Sequence, residues 1–135
     1  MSGHAYVDTS ALVKLVIRES ESEALRTEID RRSGLIASRL VLLEARRVIL
    51  RRPDHRLMST LAAVLDVVVM VDITRAILEQ AADVAPPALR SLDAIHVATA
   101  LSAGDPAIAV ITYDQRLADA ARANGLTVVQ PGREP

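Results

Sequence analysis

The spacing of apolar and polar positions along the chain predicts short strands that alternate with amphipathic helices. Short, largely apolar runs have the length of buried strands and lie at 4–7, 35–37, 67–71, 108–112 and 126–129. Helical spacing of apolar residues is found at about 11–18, 20–32, 39–51, 56–65, 75–84, 91–103 and 115–123. Strands separated by helices form a parallel sheet that is covered on both sides. The predicted fold is therefore α/β, an open parallel β-sheet flanked by helices on both faces.

Several polar residues and one glycine predict where these helices begin and end. Thr9 or Ser10 is expected to cap the first helix, because a hydroxyl oxygen accepts a free backbone N–H there. Ser38 and Ser91 are expected to do the same for the third and sixth helices. Gly34 is expected to stop the second helix.

Length and composition exclude several classes of protein. The 135 residues suit one domain, and the apolar half of them allows a core without disulfides. Cysteine is absent, which excludes thiolate nucleophiles and cysteine-ligated zinc. The formal net charge of −1 excludes a generally basic nucleic-acid binder. No secretory signal pattern or membrane-length apolar run is present, so we expect a cytoplasmic protein with no membrane association.

Two aspartates directly follow predicted strands. Asp8 comes after the apolar pair Tyr6-Val7, and Asp114 comes after the run that ends at Tyr113. In an open parallel sheet, ligands bind in the crevice beyond the carboxyl ends of the strands. Each of these aspartates also precedes a helix, so a role as helix N-cap is the alternative interpretation.

Two further acids lie inside strongly apolar helices. Glu44 follows the run 40–43, and Asp93 lies within 92–98. A carboxylate is rarely buried unless it is paired, and for Glu44 the alternative is an ion pair with Arg47. The four acids form the series strand–Asp, helix–Glu, helix–Asp, strand–Asp. Carboxylates gathered from separate elements are typical of a site for Mg²⁺ or Mn²⁺.

The residues around these acids resemble the motifs of PIN-domain nucleases. The resembling segments each contain one acid and are 7–15, 43–47, 92–100 and 112–117. Their order and spacing, and the length of the chain, are similar to those of the VapC toxins of bacterial toxin–antitoxin pairs. The similarity extends from Tyr6 to Val129, so we expect a single PIN-like domain over residues 1–135.

The resemblance implies a Mg²⁺- or Mn²⁺-dependent endoribonuclease, the toxin of a VapBC-type pair, with tRNA or ribosomal RNA as the usual substrate. It also implies a cognate VapB-like antitoxin and a homodimer. Asp8, Glu44, Asp93 and Asp114 are the expected catalytic and metal-binding residues. We assign the three aspartates mainly to the metal, directly or through water, and Glu44 either to the metal or to the attacking water. The sequence leaves open whether one or two metal ions are bound.

Other polar residues near the acids have two interpretations. We interpret Ser10 and Thr112 as local capping residues rather than as contacts to water or phosphate. We interpret His96 as a packed, hydrogen-bonded histidine rather than a catalytic one, and Asp119 as a surface residue. Six arginines are either a solvated face or a patch for the RNA backbone. They are Arg39, Arg46, Arg47, Arg51, Arg52 and Arg56.

Two other functions fit parts of this pattern. A metal-dependent phosphatase or phosphotransfer enzyme uses a similar sheet, but residues 8–10 lack the second aspartate of an aspartyl-phosphatase. A P-loop sequence is also absent. A non-catalytic PIN-like binding module is the other alternative, and the presence of all four acids argues against it.

Overall fold

The computed structural model describes residues 3–133, which form a five-stranded, all-parallel sheet with helices on both faces. The strands are β1 (Ala5–Val7), β2 (Leu35–Ser38), β3 (Val68–Val71), β4 (Ala109–Ile111) and β5 (Thr127–Val129). The helices are α1 (Thr9–Val16), α2 (Ser22–Asp30), α3 (Val41–Ile49), α4 (Arg56–Asp66), α5 (Arg75–Ala82), α6 (Ser91–Ser102) and α7 (Gln115–Ala123). The predicted α/β fold is confirmed.

The order of the strands across the sheet is β3-β2-β1-β4-β5, with β1 at the centre. Tyr6 of β1 lies opposite Ile36 on one side and Val110 on the other. The chain first builds outward from β1 to β3, and then returns to the other side of β1. Open α/β sheets bind ligands where the strand order reverses in this way. Asp8 and Asp114, which follow β1 and β4, are therefore brought to the same end of the sheet.

The two faces of the sheet are covered by different helices. On one face, α1–α4 bury an aliphatic cluster that includes Leu12, Leu25 and Ile49. On the other face, α5, α6 and α7 contribute Ile77, Val97 and Leu117, respectively, to a second cluster. Small and branched aliphatic side chains fill this core because the sequence has no Phe or Trp. Within residues 3–133, no helix combines the length and the apolar character that a bilayer span requires.

The first helix starts earlier than predicted, and its cap is an acid. α1 begins at Thr9 rather than Ala11, and the Oδ1 atom of Asp8 accepts the backbone N–H of Ala11 at 3.0 Å. The hydroxyl groups of Thr9 and Ser10 instead donate to carboxylates. The predicted cap at Thr9 or Ser10 is therefore wrong, because Asp8 occupies the N-cap position directly after the strand.

Three other predicted helix ends differ in detail. Ser38 does cap a turn, since its Oγ accepts the N–H of Leu40 at 3.1 Å, but α3 starts only after Leu40. Ser91 is the first residue of α6 rather than its cap, and the residue before it occupies the N-cap position without a side-chain hydrogen bond. α2 ends at Asp30, well before Gly34, because its last turn tightens into i→i+3 hydrogen bonds.

Candidate active site

A cavity of about 430 Å³ lies beyond the carboxyl ends of β1 and β4. All four acids that the sequence analysis singled out line it: Asp8, Glu44, Asp93 and Asp114. The other lining residues are Thr9, Ser10, Val13, Lys14, Glu19, Val48, His96, Tyr113 and Arg133. The fold thus brings together four carboxylates that belong to separate elements of the chain.

Asp8 is buried, with 4% of its surface exposed, and both of its carboxylate oxygens accept hydrogen bonds. Oδ1 accepts from the hydroxyl of Ser10 at 2.7 Å and from the N–H of Ala11 at 3.0 Å. Oδ2 accepts from the hydroxyl of Thr112 at 2.6 Å. Burial raises the pKa of Asp8 above its ordinary value, and these hydrogen bonds offset part of that increase. Ser10 and Thr112 therefore hold the orientation of this carboxylate.

Glu44 connects α3 to two other elements. Its Oε1 accepts the hydroxyl of Thr9 at 2.7 Å and lies 2.9 Å from Nε2 of His96. Burial raises the pKa of Glu44, but the hydrogen bonds from His96 and Thr9 together lower it below its ordinary value. Arg47 is exposed, and residues 3–133 show no ion pair between it and Glu44. The alternative interpretation of Glu44 as the partner of Arg47 is therefore wrong.

Asp93 has an oxygen that lacks a hydrogen bond. Among residues 3–133, its Oδ2 is the one buried side-chain oxygen or nitrogen that has no hydrogen-bond partner. The Nε atom of Arg90 lies 3.5 Å from Oδ2, but 63% of the Arg90 side chain is exposed. Such a solvent-screened pair contributes little stability. This oxygen is the kind of buried, unsatisfied ligand atom that a divalent cation binds.

Asp114 caps α7, as the sequence predicted. Its Oδ1 accepts the N–H of Arg116 at 2.9 Å and the N–H of Leu117 at 3.4 Å. Its own N–H donates to the hydroxyl of Thr112 at 3.1 Å. Since Oδ2 takes no part in these capping bonds, the capping role and a role as ligand are compatible.

A buried tyrosine and histidine lie behind Glu44. The hydroxyl of Tyr6 is 2.6 Å from Nδ1 of His96, and the two rings meet edge to face with their centroids 5.9 Å apart. The backbone N–H of Ser38 donates to the same hydroxyl at 3.3 Å. His96 is therefore a packed, hydrogen-bonded histidine, as predicted. Its contacts with Glu44 and Tyr6 were not predicted from the sequence, because no local pattern relates these residues.

Two basic side chains that the sequence analysis did not single out also line the cavity. Nζ of Lys14 lies 3.2 Å from Glu21 and 4.9 Å from the centre of the Tyr113 ring. The guanidinium of Arg133 lies over the same ring at 5.1 Å and also pairs with Glu21. Lys14 offered a signal, since it is the one lysine of the chain and interrupts an apolar helix. Arg133, near the end of the chain, offered none.

The six arginines around α3 lie outside the cavity, and all of them are exposed. Arg39 pairs with Asp72 and Arg56 pairs with Asp54. Asp119 is also exposed and lies outside the cavity, as predicted for a surface residue. A solvated face accounts for these contacts, and an RNA-binding role for the arginines stays a prediction.

The residues of the cavity fit a hard divalent cation by their chemistry. Four carboxylates supply oxygen ligands, and Oδ2 of Asp93 is buried without a hydrogen bond. Within residues 3–133, no three acidic or histidine side chains converge closely enough to form a complete metal shell. This arrangement suits Mg²⁺, which is usually held by one or two carboxylates and keeps several of its waters.

Comparison with known proteins adds independent findings. The family model described as PIN domain matches residues 5–123. The chain is 45% identical over 132 residues to Ribonuclease VapC35 of Mycobacterium tuberculosis, and the match covers 95% of this chain and 97% of that protein.

Solved structures share the fold. The structure of VapBC2 from Rickettsia felis, bound to a DNA fragment from their promoter, matches with a TM-score of 0.73 and 11% identity, covering 95% of this chain and 98% of that one. The Mycobacterium tuberculosis VapC20 structure, described as a sarcin-ricin loop cleaving toxin, matches with a TM-score of 0.72 and 23% identity. That match covers 94% of this chain and 99% of the VapC20 chain.

Proposed function

The chain belongs to the PIN-domain family and, within it, to the VapC ribonuclease toxins, and from this premise we propose that it is a Mg²⁺- or Mn²⁺-dependent endoribonuclease. The observation that carries the proposal is the single cavity lined by Asp8, Glu44, Asp93 and Asp114. The curated relative with 45% identity is named a ribonuclease, which favours RNA over the substrates of a phosphatase.

We assign the metal to these four acids. Asp8, Asp93 and Asp114 would bind it directly or through water, and Glu44 would either bind it or orient the attacking water. A bound divalent ion would lower the pKa of its water and offset negative charge on the phosphoryl group. Asp93 is the strongest candidate for direct binding, because its Oδ2 has no hydrogen bond to lose.

The surrounding side chains support this chemistry in distinct ways. Ser10 and Thr112 donate to Asp8 and so favour its charged form, which is the form that binds a cation. Glu44 has a pKa below its ordinary value and is therefore ionised at neutral pH, as an acceptor of a proton from water must be. Lys14 and Arg133 place positive charge at the cavity, where the phosphate of a substrate would lie.

The proposed substrate is a structured RNA, and the proposed partner is a VapB-like antitoxin. VapC20, which has the same fold, is described as cleaving the sarcin–ricin loop, and another structural neighbour is a VapBC2 complex. A cluster of carboxylates is a natural target for an antitoxin arginine, because a guanidinium pairs with carboxylates and substitutes for the charge of the metal. A homodimer of the chain is part of the same proposal.

The decisive experiment is RNA cleavage by the purified protein. We expect cleavage of a structured RNA with Mg²⁺ or Mn²⁺ and none with excess EDTA. Asp8→Asn, Asp93→Asn and Asp114→Asn are each expected to abolish cleavage while the far-UV circular dichroism spectrum is retained. Asp119→Asn is the matched control, because Asp119 is an exposed acid outside the cavity. Cleavage that persists in excess EDTA would contradict the metal mechanism.

The partner is tested in cells. Expression of the chain alone is expected to stop growth, and expression of Asp93→Asn is not. Co-expression with a VapB-like antitoxin from the native operon is expected to restore growth and to yield a stable complex on purification. Normal growth on expression of the active chain would count against the toxin role, while the RNA assay judges the nuclease separately.

A further inference from the structure

We propose that Tyr6 and His96 are positioning residues that hold Glu44 in place: the Tyr6 hydroxyl keeps His96 in the tautomer protonated on Nε2, and that N–H donates to Glu44. The proposal rests on the proposed nuclease function of the cavity. It assigns a role to two residues that the chemistry of the acids leaves unexplained.

The contacts form one continuous chain through the interior. Tyr6 on β1 is fully buried, and His96 on α6 has 3% of its surface exposed. The Tyr6 hydroxyl lies 2.6 Å from Nδ1 of His96, and Nε2 of the same ring lies 2.9 Å from Oε1 of Glu44. The chain of hydrogen bonds therefore runs from the central strand to the cavity through two side chains that are almost entirely buried.

The positions of the protons follow from the donors around Tyr6. The backbone N–H of Ser38 already occupies one lone pair of the phenol oxygen. At neutral pH a tyrosine phenol carries its proton and is an O–H donor. That proton is donated across the short contact to Nδ1 of His96. A neutral ring that accepts at Nδ1 carries its hydrogen on Nε2.

The tautomer of His96 determines whether an N–H or a lone pair of its ring faces the carboxylate of Glu44. With its hydrogen on Nε2, His96 donates to Oε1 of Glu44, and Thr9 donates to the same oxygen at 2.7 Å. In the other tautomer a ring lone pair would face the carboxylate, and the two would repel each other. The two donors to Oε1 hold the carboxylate in one orientation, and Oε2 takes no part in these bonds. Tyr6 thus acts on Glu44 through the imidazole ring of His96.

Nitrogen NMR of the metal-free protein at neutral pH tests the tautomer directly. The ¹⁵N signals of His96 are assigned by their loss in His96→Gln. We expect a protonated Nε2 and an unprotonated Nδ1 in the wild type, and a larger share of the other tautomer in Tyr6→Phe, which lacks only the hydroxyl. Two outcomes would overturn the proposal. One is a wild-type ring protonated on both nitrogens, and the other is a Tyr6→Phe spectrum identical to that of the wild type.

Kinetics with RNA test the link to Glu44. Tyr6→Phe and His96→Leu are expected to lower kcat about 10- to 100-fold with little change in KM, the usual size of effects from residues that orient ligands. His96→Gln is expected to recover part of the loss, because its amide can donate to Glu44. His4→Gln is the matched control, since His4 also contacts a carboxylate, that of Asp105, but does not line the cavity.

A double variant separates positioning from general structural damage. In the Glu44→Gln background, Tyr6→Phe is expected to cause no further loss of kcat, because its effect passes through Glu44. Fully additive losses would overturn the proposal. If the wild type cuts no RNA, the proposed function fails, and the NMR experiment still decides whether Tyr6 sets the tautomer.

Discussion

Asp8 and Glu44 line the same cavity, but their surroundings shift their pKa values in opposite directions. Burial dominates at Asp8 and raises its pKa. At Glu44 burial also raises the pKa, but the donors His96 and Thr9 outweigh it and lower the pKa. Ionised Asp8 is therefore unfavourable for folding, whereas ionised Glu44 is favourable.

Asp8→Asn is expected to stabilise the metal-free protein at neutral pH. The folded-state pKa of Asp8 is raised, so the wild type loses stability relative to the variant as the pH rises through that value. The difference should vanish below the unfolded pKa of about 3.9, where both states of the wild type bind the proton. Urea unfolding in EDTA, at neutral and acidic pH, measures the difference.

Glu44→Gln is expected to show the opposite dependence. The folded-state pKa of Glu44 is lowered, so its contribution to stability is present above the unfolded pKa of about 4.3 and is lost as the pH falls through the folded value. The variant should be less stable than the wild type at neutral pH and should match it in acid. The same urea titrations measure this difference. If the stabilities of Asp8→Asn and Glu44→Gln relative to the wild type changed with pH in the same direction, the opposite pKa shifts of the two acids would be contradicted.

Asp93→Asn is expected to melt at or above the wild-type temperature in EDTA. The substitution removes a negative charge that the other cavity acids repel, and it breaks only a pair with the exposed Arg90, worth about 0–1 kcal/mol. Mn²⁺ at roughly ten times its dissociation constant should stabilise the wild type by about 1.4 kcal/mol and the variant much less. Thermal melting with EDTA and with Mn²⁺ tests both statements.

A loss of stability in Asp93→Asn would indicate a structural role for Asp93. A structural acid in a buried pair would cost about 3–5 kcal/mol when neutralised, because its partner would be left unpaired. A destabilised variant, together with a wild type indifferent to Mn²⁺, would identify Asp93 as structural.

Two helices begin at the cavity, and each has a carboxylate at its N-cap. Asp8 caps α1 directly after β1, and Asp114 caps α7 shortly after β4. The N-terminal end of a helix carries partial positive charge, which favours negative groups there. Each of these aspartates therefore lies between the end of a strand and the start of a helix, and the capping interaction fixes the position of two acids that the proposed metal site uses.

Capping and ligation at Asp114 can be separated by two substitutions. Asp114→Ala is expected to lower stability by about 1 kcal/mol, whereas Asp114→Asn should cost little, because Asn caps a helix about as well as Asp. Both variants are expected to lose nuclease activity, since both lack the charge. Chemical denaturation and the RNA assay give the two readouts.

Thr74→Ala is the matched control for this prediction. The hydroxyl oxygen of Thr74 accepts the N–H of Ile77 at 3.2 Å and caps α5, which does not line the cavity. Its loss should lower stability by a similar amount and leave cleavage intact. An Asp114→Asn variant that cuts RNA normally would show that capping is the main role of Asp114.

The molecule as a whole leaves several large apolar side chains in contact with water. Leu43 of α3 and Leu50, the residue directly after α3, lie about two helical turns apart on one side of the helix. Val67 and Val69 are exposed at or beside the edge strand β3. Each of these residues is at least 60% exposed. Apolar side chains exposed in this way are common at interfaces between subunits, and we expect them to contribute to the proposed homodimer.

Leu50→Glu is expected to weaken this dimer, because a charge would be buried against an apolar surface. Sedimentation velocity should show a wild-type dimer and a largely monomeric variant at the same concentration. Thr127→Glu adds the same charge at an exposed residue of β5, on the opposite edge of the sheet, and should stay dimeric. A wild type that is monomeric at all concentrations would contradict the prediction.

Local patterns in the sequence were sufficient to predict the α/β fold and to single out Asp8, Glu44, Asp93 and Asp114, which line one cavity. Strands and helices differ in the period of their apolar residues, so each element can be recognised within about ten positions. The acids can be recognised for a similar reason: a carboxylate directly after a buried strand, or inside an apolar helix, differs from the apolar residues next to it in the sequence.

The contacts around these acids depend on how distant parts of the chain pack. Tyr6 contacts His96, and His96 contacts Glu44, although the three residues belong to three different elements. The spacing of apolar residues within one element does not predict how these elements pack against each other. Arg133 reaches the cavity from near the end of the chain in the same way. The cap of α1 was ambiguous in the same way: Thr9 or Ser10 was predicted and Asp8 was the alternative, because several neighbouring polar residues can bond the same N–H. In the folded chain, Asp8 follows β1 directly and is the residue that caps α1. Burial and hydrogen bonding act between atoms that only the folded chain brings together, so the sequence alone does not determine these contacts.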